Sequence, residues 1–162
     1  MRNIIIIVLL SLALAGCSTV YNLTAFIMPD DVEFIEIVKS LDTPEKIGNY
    51  MLENFEYDEK YIWKTLSPYQ LWDIRKGVCA DFAKFGMFMA NYHGYETYRV
   101  EIYYKGLINH MIAVYKESNG YTFTSNRKYY EGAKDSFKEC IMSDYIKYKV
   151  FDYDGNLIEV GE

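Results

Sequence analysis

Arg75-Lys76-Gly77-Val78-Cys79-Ala80-Asp81-Phe82-Ala83-Lys84-Phe85-Gly86 is the stretch from which the rest of the chain can be ordered. A hinge glycine at Gly77 runs into a helix whose first residue is close to Cys79. Ala83, Gly86 and Ala90 follow Cys79 by four, seven and eleven positions, so they share one helix face as a narrow, smooth stripe. Such a stripe lets another backbone, a sheet, come close. A thiol at the head of a helix meets the positive end of the macrodipole and the free N–H groups of the first turn, both of which favour thiolate. The same position also suits a buried structural cysteine. Asp81, in the first turn, reads as a structural carboxylate.

Downstream, the helix ends near His93, with Gly94 fitting a left-handed cap and His93 a last-turn residue favoured by the dipole. Three strands are expected next: Tyr95–Tyr104, Ile108–Lys116 and Gly120–Ser125, an antiparallel meander. Ile108, His110, Ile112 and Val114 share one face of the second. Residues 135–145 read as a helix with Phe137, Ile141 and Met142 inward. The chain closes on a hairpin around Asp154-Gly155.

Upstream, Asp30 or Asp31 caps a helix running to Lys39, with Val32, Ile35 and Val38 on one face. Thr43 and Pro44 start a second helix carrying Ile47, Met51, Leu52 and Phe55. Ser67-Pro68 marks a turn or helix start. Trp63 and Trp72 flank this stretch as core residues or as walls of a groove.

Composition bounds the chemistry. The 162 residues are 51% hydrophobic and 17% aromatic, enough to bury one sizeable core. A formal charge of −6 without basic runs argues against nucleic-acid binding. With two histidines and no closely spaced Cys/His set, neither a metal site nor a cofactor is expected.

Residues 1–16 read as an export signal: Arg2, an apolar run from Ile4 to Ala15, then small residues. Leu14-Ala15-Gly16-Cys17 looks like a bacterial lipobox, which implies cleavage before Cys17 and acylation of that residue. Loss of Arg2 would take the formal charge from −6 to −7. Residues 17–29 form an apolar tether that lies on the membrane or packs back onto the domain. The folded domain is expected over 30–162, facing outside the cytoplasm in a bacterial cell envelope.

His110 and Cys79 gain meaning together. A helix packed on the sheet brings its N-terminus to the His110 strand, and an imidazole beside a thiol takes its proton. Asn126, at the end of the next strand, is the candidate to fix the imidazole tautomer.

These residues resemble the transglutaminase-like superfamily. Residues 75–83 are similar to its cysteine motif, His110-Met111-Ile112-Ala113-Val114-Tyr115 to its histidine strand, and Gly120–Asn126 to the strand that usually delivers an aspartate. Asn126 departs from that pattern, although asparagine fills the role in papain-like proteases. The resemblance covers about residues 45–130. It implies an α+β, papain-like core with a cysteine-bearing helix on an antiparallel sheet, and thiol acyl transfer on an amide by Cys79, His110 and Asn126. The Cys79 backbone N–H is the natural first oxyanion donor, with Gln70, Tyr69 and Trp72 as candidates for the second. The expected partners are peptide, protein or peptidoglycan-stem amides and, through the lipid, a membrane. A binding module that kept this fold without turnover is the second expectation. Cys140 is a buried thiol, or the partner of a disulfide that would silence Cys79.

Overall fold

The structure is a computed structural model and describes residues 26–105, 109–142 and 144–162. Cys17, the signal segment and most of the tether lie outside the described residues. Four α-helices come first: α1 (Val32–Ser40), α2 (Pro44–Asn54), α3 (Pro68–Ile74) and α4 (Cys79–Tyr92). Two short strands, β1 (Glu56–Tyr57) and β2 (Lys76–Gly77), pair in parallel among them. The main sheet follows: β3 (Glu96–Tyr103), β4 (Asn109–Glu117), β5 (Gly120–Ser125), β6 (Lys128–Lys134), β7 (Lys147–Phe151) and β8 (Leu157–Gly161). Its order is β6-β5-β4-β3-β7-β8, antiparallel throughout. The fold is therefore α+β, with the cysteine-bearing helix packed on an antiparallel sheet.

Local chemistry starts each helix where the sequence places it. Asp31 accepts the Phe34 N–H at 3.0 Å to cap α1, and Thr43 caps α2 ahead of Pro44. Ser67 and Gln70 form a capping box at α3, each side chain accepting the other's backbone N–H. The inward face of α1 is Phe34 and Val38, with Val32 left 69% exposed. On α2, Leu52 is exposed while Ile47, Met51 and the following Phe55 are buried. Trp72 is core and Trp63 stands 93% exposed.

The stripe on α4 does what its small side chains allow. Ala83, Gly86 and Ala90 are buried, and a Cβ on Gly86 would collide with the Tyr115 hydroxyl of β4. That approach puts α4 on the sheet face formed by Met111, Ala113 and Tyr115, in one core with α1, α2 and α3. His110, Ile112 and Val114 alternate to the opposite face. Ile112 and Val114 belong to a second core there, with Val100, Phe123, Phe137, Cys140 and Val150. The sheet centre is thus buried on both sides, where the sequence reading had α4 packing on the His110 face. Phe26 joins the first core, edge-on to Phe88 at 4.9 Å.

Among the described residues of 135–145 the expected α-helix is absent: Lys138–Cys140 make one 3₁₀ turn, Phe137 and Cys140 are buried in the second core with Ile141 packed against it, and Met142 is exposed. The final hairpin forms as expected, with β7 pairing to β3 and the turn held by Asp152 and Asn156.

Candidate active site

Cys79 is the first residue of α4. Asp81 fixes the entry to that helix: its Oδ2 accepts the Val78 N–H at 3.0 Å and its Oδ1 accepts the Leu66 N–H at 2.9 Å. The buried carboxylate thereby ties the loop before α3 to the head of α4. Gly77 is needed there, because a Cβ would press on Leu71 and on Asp81 itself.

A cavity of about 220 Å³ opens where the head of α4 meets the start of β4. It is lined by Cys79, Ala80, Glu101, Asn109, His110 and Met111. Cys79 and His110 therefore both line this cavity at the start of β4, although His110 alternates to the sheet face opposite the one on which α4 packs. The sulfur receives the backbone N–H of Met111, the residue after His110, together with those of Ala80 and of Cys79 itself. They favour the thiolate, but burial outweighs them and holds the Cys79 thiol above its ordinary range, with Asp81 adding to the rise. Burial also pushes His110 below the usual imidazole value. Both shifts run against the charged pair that the helix dipole favours.

His110 Nε2 shares a hydrogen bond of 2.8 Å with Ser125 Oγ. The strand register accounts for this. Ile112 is directly opposite Ser125, so Ser125 shares the face of Ile112 and His110 and lies diagonally across from the imidazole. Asn126, the residue assigned that role from sequence, sits in the β5–β6 turn with φ 52°, and its buried Oδ1 has no hydrogen-bond partner. With Nε2 engaged by Ser125, Nδ1 is the ring nitrogen outside that hydrogen bond.

The three side chains expected as second oxyanion donors do not line the cavity. Gln70 is used in the α3 cap, and Tyr69 donates its hydroxyl to Asp31 at 2.9 Å. Trp72 packs on Phe34 and under Arg75, its Nε1 buried without a partner.

Glu101 went unnoticed in the sequence. Its position in β3, directly opposite Met111, was the available signal. Tyr57 also approaches Cys79 closely enough to feel a thiolate there, brought by the β1–β2 pair ahead of α4. His93 is at the far end of α4, bonded through Nε2 to the Val38 carbonyl at 2.7 Å, and takes no part. Cys140 lies in the second core with its thiol pushed up to about 12 by burial, on the other side of the sheet from α4. Cys79 and Cys140, the cysteines among the described residues, are free thiols. Among the described residues no group of three or more His, Cys, Asp or Glu could hold a metal ion, and no helix is long and apolar enough to cross a membrane.

No family model matches the chain, and no curated protein sequence matches it. Among solved structures it is similar to a "putative cysteine protease" from Cytophaga hutchinsonii, at 14% identity and a TM-score of 0.45. The match covers 82% of this chain and 54% of that one, so the chain spans about half the length of that protein.

Proposed function

We propose that the chain is a thiol-dependent amide hydrolase or acyl transferase with Cys79 as nucleophile and His110 as base and acid. One observation carries the reading: a thiol at a helix head and an imidazole line the same cavity, among backbone N–H donors. When an amide enters, His110 Nδ1 takes the thiol proton and the sulfur attacks the carbonyl carbon. The C–N bond breaks, the amine leaves with the proton from His110, and a thioester remains on Cys79. Water then gives an acid, or a second amine gives a new amide, and the thiol is restored. The N–H groups of Cys79, Ala80 and Met111 are the candidate partners of the oxyanion. Ser125 orients the ring through Nε2, the role first assigned to Asn126.

The anchor belongs to the same proposal. Acylation at Cys17 would hold the domain to a membrane outside the cytoplasm, where envelope peptides, proteins and peptidoglycan stems supply amides.

Cys79→Ala is expected to abolish labelling by a peptidyl vinyl sulfone while leaving the melting temperature within a few degrees of wild type. Equal labelling of the two proteins would overturn the reading. The upward shift of the thiol and the downward shift of the imidazole favour a second one, a peptide-binding module without turnover. It predicts peptide binding that survives Cys79→Ala and a wild-type thiol that the vinyl sulfone leaves untouched.

A further inference from the structure

Glu101 is the one acidic side chain among the described residues that line the Cys79 cavity. Its side chain is 18% exposed, and its register partner is Met111, whose N–H points at the sulfur. The carboxylate is held from both sides along its own strand face. Arg99 Nε lies 3.1 Å from Oε1, and the Tyr103 hydroxyl donates to Oε2 at 2.7 Å. Across β7, Lys149 is its register partner and holds its ammonium over the Tyr103 ring at 5.6 Å. Arg99 pairs with the carboxylate and Lys149 is its register partner, yet neither lines the cavity. A carboxylate offers about four acceptor positions, and the contacts named here use two. A cationic ligand in the cavity has Glu101 as the acidic residue of the described lining, and neither Arg99 nor Lys149 is part of that lining.

We infer that Glu101 selects the substrate, favouring an amide that carries a primary ammonium group within a few bonds of the carbonyl attacked by Cys79. This deepens the acyl-transfer reading and rests on it for the word substrate. Charge selection at the thiol, however, can be read without turnover.

The test uses two methanethiosulfonates that differ only in their tails, ethylammonium against ethylsulfonate, with modification mapped to Cys79 by mass spectrometry. With each rate divided by that reagent's rate on a small free thiol, wild type is expected to favour the cationic reagent about tenfold or more, and Glu101→Gln to bring the normalised ratio to within about threefold of unity. A ratio near unity in wild type overturns the inference. So does a preference that persists in the glutamine variant, since the net charge of the whole chain would then be its source. If Glu101→Gln does not fold, Glu101→Asp keeps the charge while withdrawing it by one methylene. The ratio must fall there too, and an unchanged ratio overturns the inference. Neither result depends on whether Cys79 accepts an acyl group from peptides.

Discussion

Ser125 and Asn126 are neighbours with different fates, and one residue of register separates them. The β4–β5 hairpin turns at Ser118-Asn119, with Glu117 paired to Gly120. Counting back along both strands from that turn puts Ser125 opposite Ile112, on the His110 face, and leaves Asn126 to the turn beyond the strand. The count could have been made from sequence. The family pattern of an acid near the end of this strand drew attention to Asn126 instead. Cys79 and His110 each have a local signature, a helix head and a strand start, and both line the cavity. The directions of their pKa shifts were not legible, since these depend on how much of each group the tertiary structure buries. Ser125→Ala removes the partner of Nε2 and is expected to slow Cys79 acylation about three- to tenfold, the worth of one neutral hydrogen bond. Asn126→Ala, measured in the same single-turnover assay, should slow it less. The reverse order would return the orienting role to Asn126.

At the scale of elements, α4 was read almost to the residue, because its cap, stripe and C-terminal glycine are all local. Its docking face was not. The apolar run in β4 contains residues of both parities, and only the partners of α4 decide which parity it meets. Gly86 records that choice: Tyr115 is fully buried and its hydroxyl shares a 2.8 Å hydrogen bond with Thr124 exactly where a Cβ would go. Gly86→Ala is expected to destabilise the fold by about 1–3 kcal/mol through overpacking. Tyr115→Phe, which deletes the colliding atom, should recover part of that loss in a double-mutant cycle of denaturant midpoints. Additive costs would mean that α4 packs elsewhere. The failed helix over 135–145 teaches the converse. Phe137 and Cys140 needed only a single turn to reach the second core, and that core was invisible while β4 was read as one-faced.

For the whole molecule, the two-sided sheet separates the cysteines. Cys79 belongs with the helical layer and Cys140 with the opposite one, so a disulfide between them would require the sheet to open. Charge is also buried in the helical layer. Lys84 on α4 is 5% exposed, and burial lowers its ammonium to about 8 despite the nearby Asp81. Between that value and the ordinary lysine value near 10.5, the unfolded chain holds a proton that the folded chain has released. Stability from this group therefore rises with pH across that window. Buried tyrosines act in the opposite sense at the alkaline end, so the comparison is with Lys84→Met. Wild-type stability minus that of the variant, from denaturant melts, should increase from pH 7.5 to 9.5, whereas a flat difference would place the ammonium in solvent.

Whether the cavity is a reaction site turns on cooperation between thiol and imidazole, and a pH–rate profile of Cys79 modification by the peptidyl vinyl sulfone in wild type and His110→Ala measures it directly. With the thiol raised by burial, the histidine must supply reactivity at neutral pH. The variant should be about 100-fold slower at pH 7, with the deficit shrinking as alkali ionises the thiol unaided. Superimposable profiles for the two proteins would contradict the account and leave Cys79 an ordinary buried thiol beside an uninvolved histidine.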